Sequence, residues 1–443
     1  MYVSCAWQPN THATICDLPQ ELLLLILCHV QDWKYWLKHH CSCVCRCLRA
    51  ACLELIDFRA VNACGPDSPK HFMAFISDYP RVARSIVKLR IRGSYGLPRP
   101  VMNAGLVAYI IGQLPSLQNL TLNIMRFDST DATDDVDASV LAPIDIVGGR
   151  PRSLKRLELD YDIDDQSLLP EVFRIASLFK AEELYLDFSD SFDLTSASVP
   201  FSLPRPLHAS SLSVNHTLKS QKHAAVMLDA LSVHLSPGVL QRLEVSVDSA
   251  ECIHSLGRLL SGPACSALTY LDLNSPPPVK LVGFRLGWLG HKDPLQCTSV
   301  GTFPSFSPLI PTCRTDEWSA LNVGLCPRLE SIVLHVYAAD MPCDMPLCSA
   351  ATGIVSQAPP ALRYLTLKIW YFSCASLIDS DWLNLGDLDT ALSRSPGFSK
   401  LEKLTVELYR DYHEINFPEY YKALCQRTLS AVHSARKLHV VQR

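Results

Sequence analysis

Charge is scarce in this chain. Asp, Glu, Lys and Arg make up 19% of its 443 residues, against roughly 25% in an average soluble protein. Hydrophobic residues reach 48%, enough for a large core and unlike the composition of a disordered chain. The net charge of −4 at pH 7 offers no bulk attraction to nucleic acid or anionic lipid, so neither is expected as a partner. Long apolar runs are missing too. The run Leu22 to Leu27 falls far short of the ~20 residues a helix needs to cross a bilayer. No basic stretch precedes it, and Asp17 and Glu21 flank it, so it does not read as a secretory leader. The expected location is intracellular, cytoplasmic or nuclear, with no membrane association.

Signatures of catalysis are absent as well. There is no Gly-x-Ser-x-Gly elbow, no phosphate-binding Gly-rich loop with Lys-Ser/Thr and no His-Glu-x-x-His. The 18 cysteines are scattered, which in a chain this long reads as reduced, small apolar residues and not a disulfide framework. Cys41, Cys43, Cys45 and Cys47 follow His39 and His40. Metal knuckles favour Cys-x2-Cys pairs, whereas alternate cysteines on a helix point to different faces, so helix packing is the better reading. The acidic stretch Asp128 to Asp137 lacks the glycine and the terminal Glu of a calcium loop and reads as a solvated loop. No metal, cofactor or catalytic residue is expected.

What is present begins with a helix start. Asp17-Leu18-Pro19-Gln20-Glu21 offers a cap and a proline in the first turn. Leu22, Leu23, Ile26, Leu27 and Val30 then recur at helical spacing. An apolar cluster follows at Trp33 to Leu37, and Val44, Leu48, Cys52 and Leu55 share one helix face. Three short helices in so few residues leave apolar surface uncovered, and modules of this size usually need a partner.

These residues resemble the F-box. Its opening Leu-Pro-x-Glu-Leu helix is matched by Leu18-Pro19-Gln20-Glu21-Leu22 with Ile26-Leu27 after it. Its later Val-Cys-Arg segment is matched by Val44-Cys45-Arg46-Cys47-Leu48-Arg49. The usual Ser-Leu before that segment is Ser42-Cys43 here. The resemblance covers residues 14–58 and implies binding to the small Skp-type adaptor of a cullin-based ubiquitin ligase. Leu18, Pro19, Leu22, Ile26, Val44, Cys45 and Leu48 are the residues it assigns to that contact, some of which would instead hold the module's own core.

The remainder, residues 66–443, repeats one pattern, Leu-x-x-Leu-x-Leu. It occurs at Leu117, Leu154, Ala181, Leu240, Leu268, Leu329, Leu362 and Leu401, with weaker echoes at Ile86–Ile91, Leu207–Val214 and Ala435–Val440. Intervals between full copies run from 27 to 61 residues. The 61-residue interval reads as hiding one lost or displaced copy. The last two apolar residues of each copy are two apart and face one side of a short strand. Helical patterns lie between copies, at Met102–Leu114, Glu171–Phe179, His223–Leu235, Glu251–Leu260 and Tyr420–Val432. Such units stack into parallel strands with helices outside. The array is similar to leucine-rich repeats, with departures. Where that family places an Asn or Cys that bonds neighbouring turns, this chain has Met125, Asp162, Asp248, Tyr337, Trp370 and Tyr409.

The expected fold is therefore α/β: a three-helix F-box-like module, then an irregular leucine-rich-repeat-like solenoid. A Pro/Gly/Ser-rich insertion carrying Trp288, Phe303 and Phe306 interrupts it at about 275–315. A doubly wound α/β domain is the competing architecture. The residues between the repeated leucines, Thr121, Glu158, Tyr185, Glu244, Asp272, Thr366 and Thr405, should line the concave face and contact a protein substrate. The resemblance implies a non-catalytic substrate receptor that reaches a cullin through the adaptor. The competing functions are a protein-interaction scaffold whose N-terminal helices only cap the array, and an enzyme with an unrecognised site.

Overall fold

The structure, a computed structural model, describes residues 18–29, 48, 51–52, 58–65, 67–93, 99–127, 151–163, 169–190, 201–216, 221–247, 249–274, 317–338, 349–371, 385–409, 418, 421–422 and 424–443. Val44 and Cys45, the cysteine cluster, the acidic stretch at 128–137 and the insertion at 275–315 lie outside the described residues.

After helix α1 (Gln20–His29), strands and helices alternate. The first units are β1 (Ala60–Cys64), α2 (Ser68–Asp78), α3 (Pro80–Ser85), β2 (Lys88–Arg92), β3 (Val101–Met102), α4 (Ala104–Gln113), β4 (Asn119–Phe127) and β5 (Arg152–Ile163). Then come α5 (Leu169–Ser177), β6 (Phe179–Asp190), β7 (His208–His216), α6 (Gln221–His234), β8 (Arg242–Ser246), α7 (Ala250–Ser261) and β9 (Tyr270–Asn274). The last units are β10 (Ser331–Ala338), α8 (Ser349–Ser356), β11 (Tyr364–Tyr371), α9 (Leu385–Arg394), β12 (Lys403–Tyr409), α10 (Ser430–Ser434) and β13 (Leu438–Gln442).

The strands form one sheet of 13, every pairing parallel. Twelve stand side by side in chain order, and β3 sits off the path beside β4. Parallel neighbours need a crossover between them, and among the described residues helices lie in most of these connections. A doubly wound sheet reverses its strand order at a switch point; this one never does. The architecture is that of an α/β solenoid like the leucine-rich repeats.

The repeated leucines explain the stacking. In register, one apolar row runs strand by strand from Val61 through Leu120, Leu243 and Leu365 to Leu438. A second runs from Ala63 through Leu122, Val245 and Leu367 to Val440. Their central members, such as Leu157, Leu159, Leu243, Leu365 and Val406, are fully buried. Each such side chain contributes about 1.5–3 kcal/mol on burial, and only a neighbouring unit can supply the cover. The end residues Val61, Ala63, Leu438 and Val440 are half-buried, as the outermost units of a stack must be.

Several local features differ from the sequence reading. The three weak echoes form complete strands, β2, β7 and β13, and β1 and β3 form without the motif. β9 pairs directly with β10, so no strand stands between them in the sheet, and residues 275–316 of the 61-residue interval lie outside the described residues. Met102 belongs to β3, and the helix after it starts at Ala104, where the Asn103 side chain accepts from the Leu106 N–H at 2.8 Å. The pattern from Tyr420 to Val432 is not one helix. A π-helical turn at Leu424–Thr428 is followed by a break at Leu429 and then by α10. Asp389 of α9 restarts it, its carboxylate accepting from the Ala431 and Val432 N–H groups at 2.9 and 3.0 Å. The same device serves α4: buried Glu171 of α5 accepts from the Ala104 N–H at 2.6 Å. Helix N-termini favour such anions.

A smaller apolar cluster is separate from the sheet's core. Leu23 and Leu27 of α1 meet Leu48, Ala51 and Cys52, all nearly or fully buried.

Candidate functional site

Two surfaces stand out. The first is α1. Leu23 and Leu27, four apart, turn inward, each 2% exposed. Leu22, Leu25 and Ile26 are 48%, 59% and 46% exposed, and Leu18 just before the helix is 36% exposed. These four follow the helical repeat and form one outward stripe. They are half of the eight large hydrophobics that stand exposed among the described residues. Pro19 is exposed beside them, and its carbonyl accepts the first helical bonds, from Leu22 at 3.0 Å and Leu23 at 3.1 Å. Leu48 is only 5% exposed and packs inside the module.

The second surface is the side of the sheet opposite the helices. The seven residues singled out between the repeated leucines occupy one register row. Thr121 pairs with Glu158, Glu158 with Tyr185, Ser213 bridges Tyr185 to Glu244, Glu244 pairs with Asp272, and Val333 bridges Asp272 to Thr366, which pairs with Thr405. Asn62 and Arg90 extend the row at one end and His439 at the other. Alternate residues of a strand share a face, so rows two residues either side belong to the same surface. Those flanking rows carry more of the chemistry.

Two clusters repeat one design. Arg156 pairs with Glu158 at 3.1 Å and lies 4.0 Å over the ring of Tyr185, whose hydroxyl donates to Glu183 at 3.2 Å. Three strands on, Arg242 bonds Glu244 at 2.9 Å and lies 3.9 Å over Tyr270, whose hydroxyl donates to Asp272 at 3.1 Å. Burial and the neighbouring carboxylates push both phenols up.

The most enclosed ionic group on this face is Asp272, 8% exposed. His335 Nε2 stands 3.1 Å from Asp272 Oδ1 and 3.2 Å from Lys368 Nζ, which is itself 3.9 Å from Asp272 Oδ2. Burial pushes the Asp272 carboxyl up. The His335 hydrogen bond and charge, the Lys368 ammonium and the Tyr270 hydroxyl outweigh it and hold the carboxyl below its ordinary value. Beyond Lys368, Glu407 accepts from Tyr409 at 2.9 Å and pairs with Arg443 at 3.1 Å. Where leucine-rich repeats carry an Asn, Tyr337, Trp370 and Tyr409 fall in one register row, and the Trp370 and Tyr409 rings stack at 3.9 Å.

Sequence reasoning reached the central row and missed its flanks, above all Lys88, Arg92, His335, Lys368 and Glu407. The signal was available: each lies two residues from a row position. Among the described residues no group of three or more His, Cys, Asp or Glu is placed to hold a metal ion, and no helix is long and apolar enough to cross a membrane. No known family model matches the chain, and no curated protein matches it.

Proposed function

We propose that this protein is a substrate receptor of a cullin-based ubiquitin ligase, docking a Skp-type adaptor through α1 and holding a protein substrate on the open face of the sheet. One observation carries the reading. The helix bearing the F-box-like residues shows Leu18, Leu22, Leu25 and Ile26 to solvent, and a contiguous exposed apolar patch marks an interaction site. In this reading Leu18, Pro19, Leu22 and Ile26 contact the adaptor, with Val44 and Cys45 assigned by the resemblance alone. Leu48 belongs to the module's core. The protein breaks and forms no bond itself. It raises the local concentration of a target beside a conjugating enzyme, and it acts in the cytoplasm or nucleus.

The sheet suits the second task. It offers a continuous face across twelve strands, furnished with Arg, Tyr and Trp, the residue types that dominate protein interfaces. The test is co-purification of the full chain with a recombinant Skp-type adaptor. A stoichiometric complex is expected, and Leu18→Asp with Leu22→Asp should abolish it while leaving the far-UV spectrum unchanged. An adaptor that ignores the wild-type chain, or binds the double variant equally, removes the ligase assignment. A protein-interaction scaffold with a helical cap then remains.

A further inference from the structure

Cations on the open face are mostly answered by carboxylates. Arg156 has Glu158, Arg242 has Glu244, Lys368 has Asp272, and Arg443 has Glu407. Strand β2 breaks this pattern. Lys88, Arg90 and Arg92 occupy alternate positions and therefore one side of the sheet, and all three are exposed. No ion pair joins them to any carboxylate among the described residues. Their register neighbours are Ala60, Asn62 and Cys64 on β1 and Asn119, Thr121 and Asn123 on β4, every one uncharged. The first carboxylates on this face, Glu158 and Asp160, belong to β5, two strands and about 10 Å from β2.

Three like charges in a line repel one another, and no carboxylate among the described residues pairs with them. A second observation lies beside them. Asn123, in register with Arg92, is 8% exposed, and its side-chain oxygen meets no donor among the described residues. A buried acceptor left unmet is destabilising. An ionised carboxylate has no hydrogen to give it. A polypeptide brings both kinds of group at once: side-chain carboxylates for the cations and backbone N–H groups for the Asn123 amide.

We propose that the open face at β1, β2 and β4 is a docking site for an extended acidic peptide segment, with Lys88, Arg90 and Arg92 taking its carboxylates and Asn123 accepting from its backbone. An extended chain presents every second side chain to one face at about 6.6 Å, the spacing that the three cations offer. Asn62, Asn119 and Thr121 flank the stripe with further hydrogen-bonding groups. The inference rests on the reading of the open face as the capture surface and adds the chemistry of what is captured.

The experiment is fluorescence anisotropy of the full chain with a labelled peptide of about ten residues in which Glu alternates with Ser. Wild-type protein should bind it and should weaken steeply as salt rises from ~50 to ~500 mM, because exposed charges are screened. A Lys-rich counterpart should not bind. The triple variant Lys88→Ala, Arg90→Ala, Arg92→Ala should lose at least tenfold. Removing three exposed cations elsewhere, by Arg328→Ala, Arg394→Ala and Lys400→Ala, should leave affinity within twofold. Asn123→Ala should weaken the peptide while leaving the salt slope intact. Equal losses in the two triple variants, or no binding by wild type, overturn the site. Equally tight binding of an oligonucleotide overturns its assignment to a peptide. Adaptor co-purification of the Lys88/Arg90/Arg92 variant separates the two readings. If the adaptor still binds and the peptide never does, the docking site falls and the ligase reading stands. If the peptide binds and the adaptor never does, the site stands as that of a scaffold.

Discussion

Replacing Asp272 by Asn keeps the shape of the side chain and removes its charge. Three groups lose by it: His335 at 3.1 Å, Lys368 at 3.9 Å and Tyr270, whose hydroxyl donates to Oδ2 at 3.1 Å. The amide oxygen can keep one of these bonds, so the deficit is one charge-assisted hydrogen bond, about 1.5–3 kcal/mol, plus a partly exposed ion pair, about 0–1 kcal/mol. A destabilisation of about 2 kcal/mol at pH 7 follows, read by urea denaturation under circular dichroism. The pH dependence has a definite sign. The folded carboxyl is held below its unfolded value of 3.8. The stabilisation is therefore fully present above that value and is lost as pH falls through the lower, folded one. The difference between wild type and Asp272→Asn should be present above about pH 5 and should close on acidification below about pH 4. A difference under about 0.5 kcal/mol at pH 7, or one that persists unchanged into strong acid, refutes the account of this cluster.

Other outcomes follow from single contacts. Leu22→Asp should leave stability within about 0.5 kcal/mol while blocking adaptor binding, whereas Leu23→Asp, which buries a carboxylate in the small cluster with Leu48 and Cys52, should unfold the module. Gly257→Ala should destabilise by about 1–3 kcal/mol, because the added methyl collides with the Ala320 backbone carbonyl. Gly112→Ala, where nothing lies near the new methyl, should instead be neutral or stabilise by up to about 1 kcal/mol. Thermal melts of the pair separate a packing effect from helix propensity. Glu171→Ala should destabilise by about 1–3 kcal/mol in urea, since the buried N–H of Ala104 loses its acceptor. Amide exchange at Ala104 should speed up with it.

Much of this molecule was legible before folding was considered. A motif whose last two leucines are two residues apart can only be a strand with one greasy side, and its recurrence demands stacking. The central row from Thr121 to Thr405 followed from counting positions between leucines, and the structure brings those seven residues into register. Local pattern failed where a distant residue intervened. Nothing near Leu429 in the chain announces a break. Asp389, some forty residues earlier, takes the N–H groups of Ala431 and Val432. Gly93 likewise looks ordinary in sequence. It is needed because β4 bulges at Ile124, with φ of 57°, and a side chain at position 93 would strike the Ile124 carbonyl.

The periodicity of apolar residues was enough to determine the class of fold, because hydrophobic burial depends only on which side of a strand or helix a residue occupies. Which strand lies beside which, and at what offset, was decided by tertiary packing. That choice sets Arg156 over Tyr185 and closes the Asp272–His335–Lys368 group, and it leaves Lys88, Arg90 and Arg92 between strands without a carboxylate. Charges interact over a few ångströms of space, and neighbours along the chain say little about neighbours across a sheet.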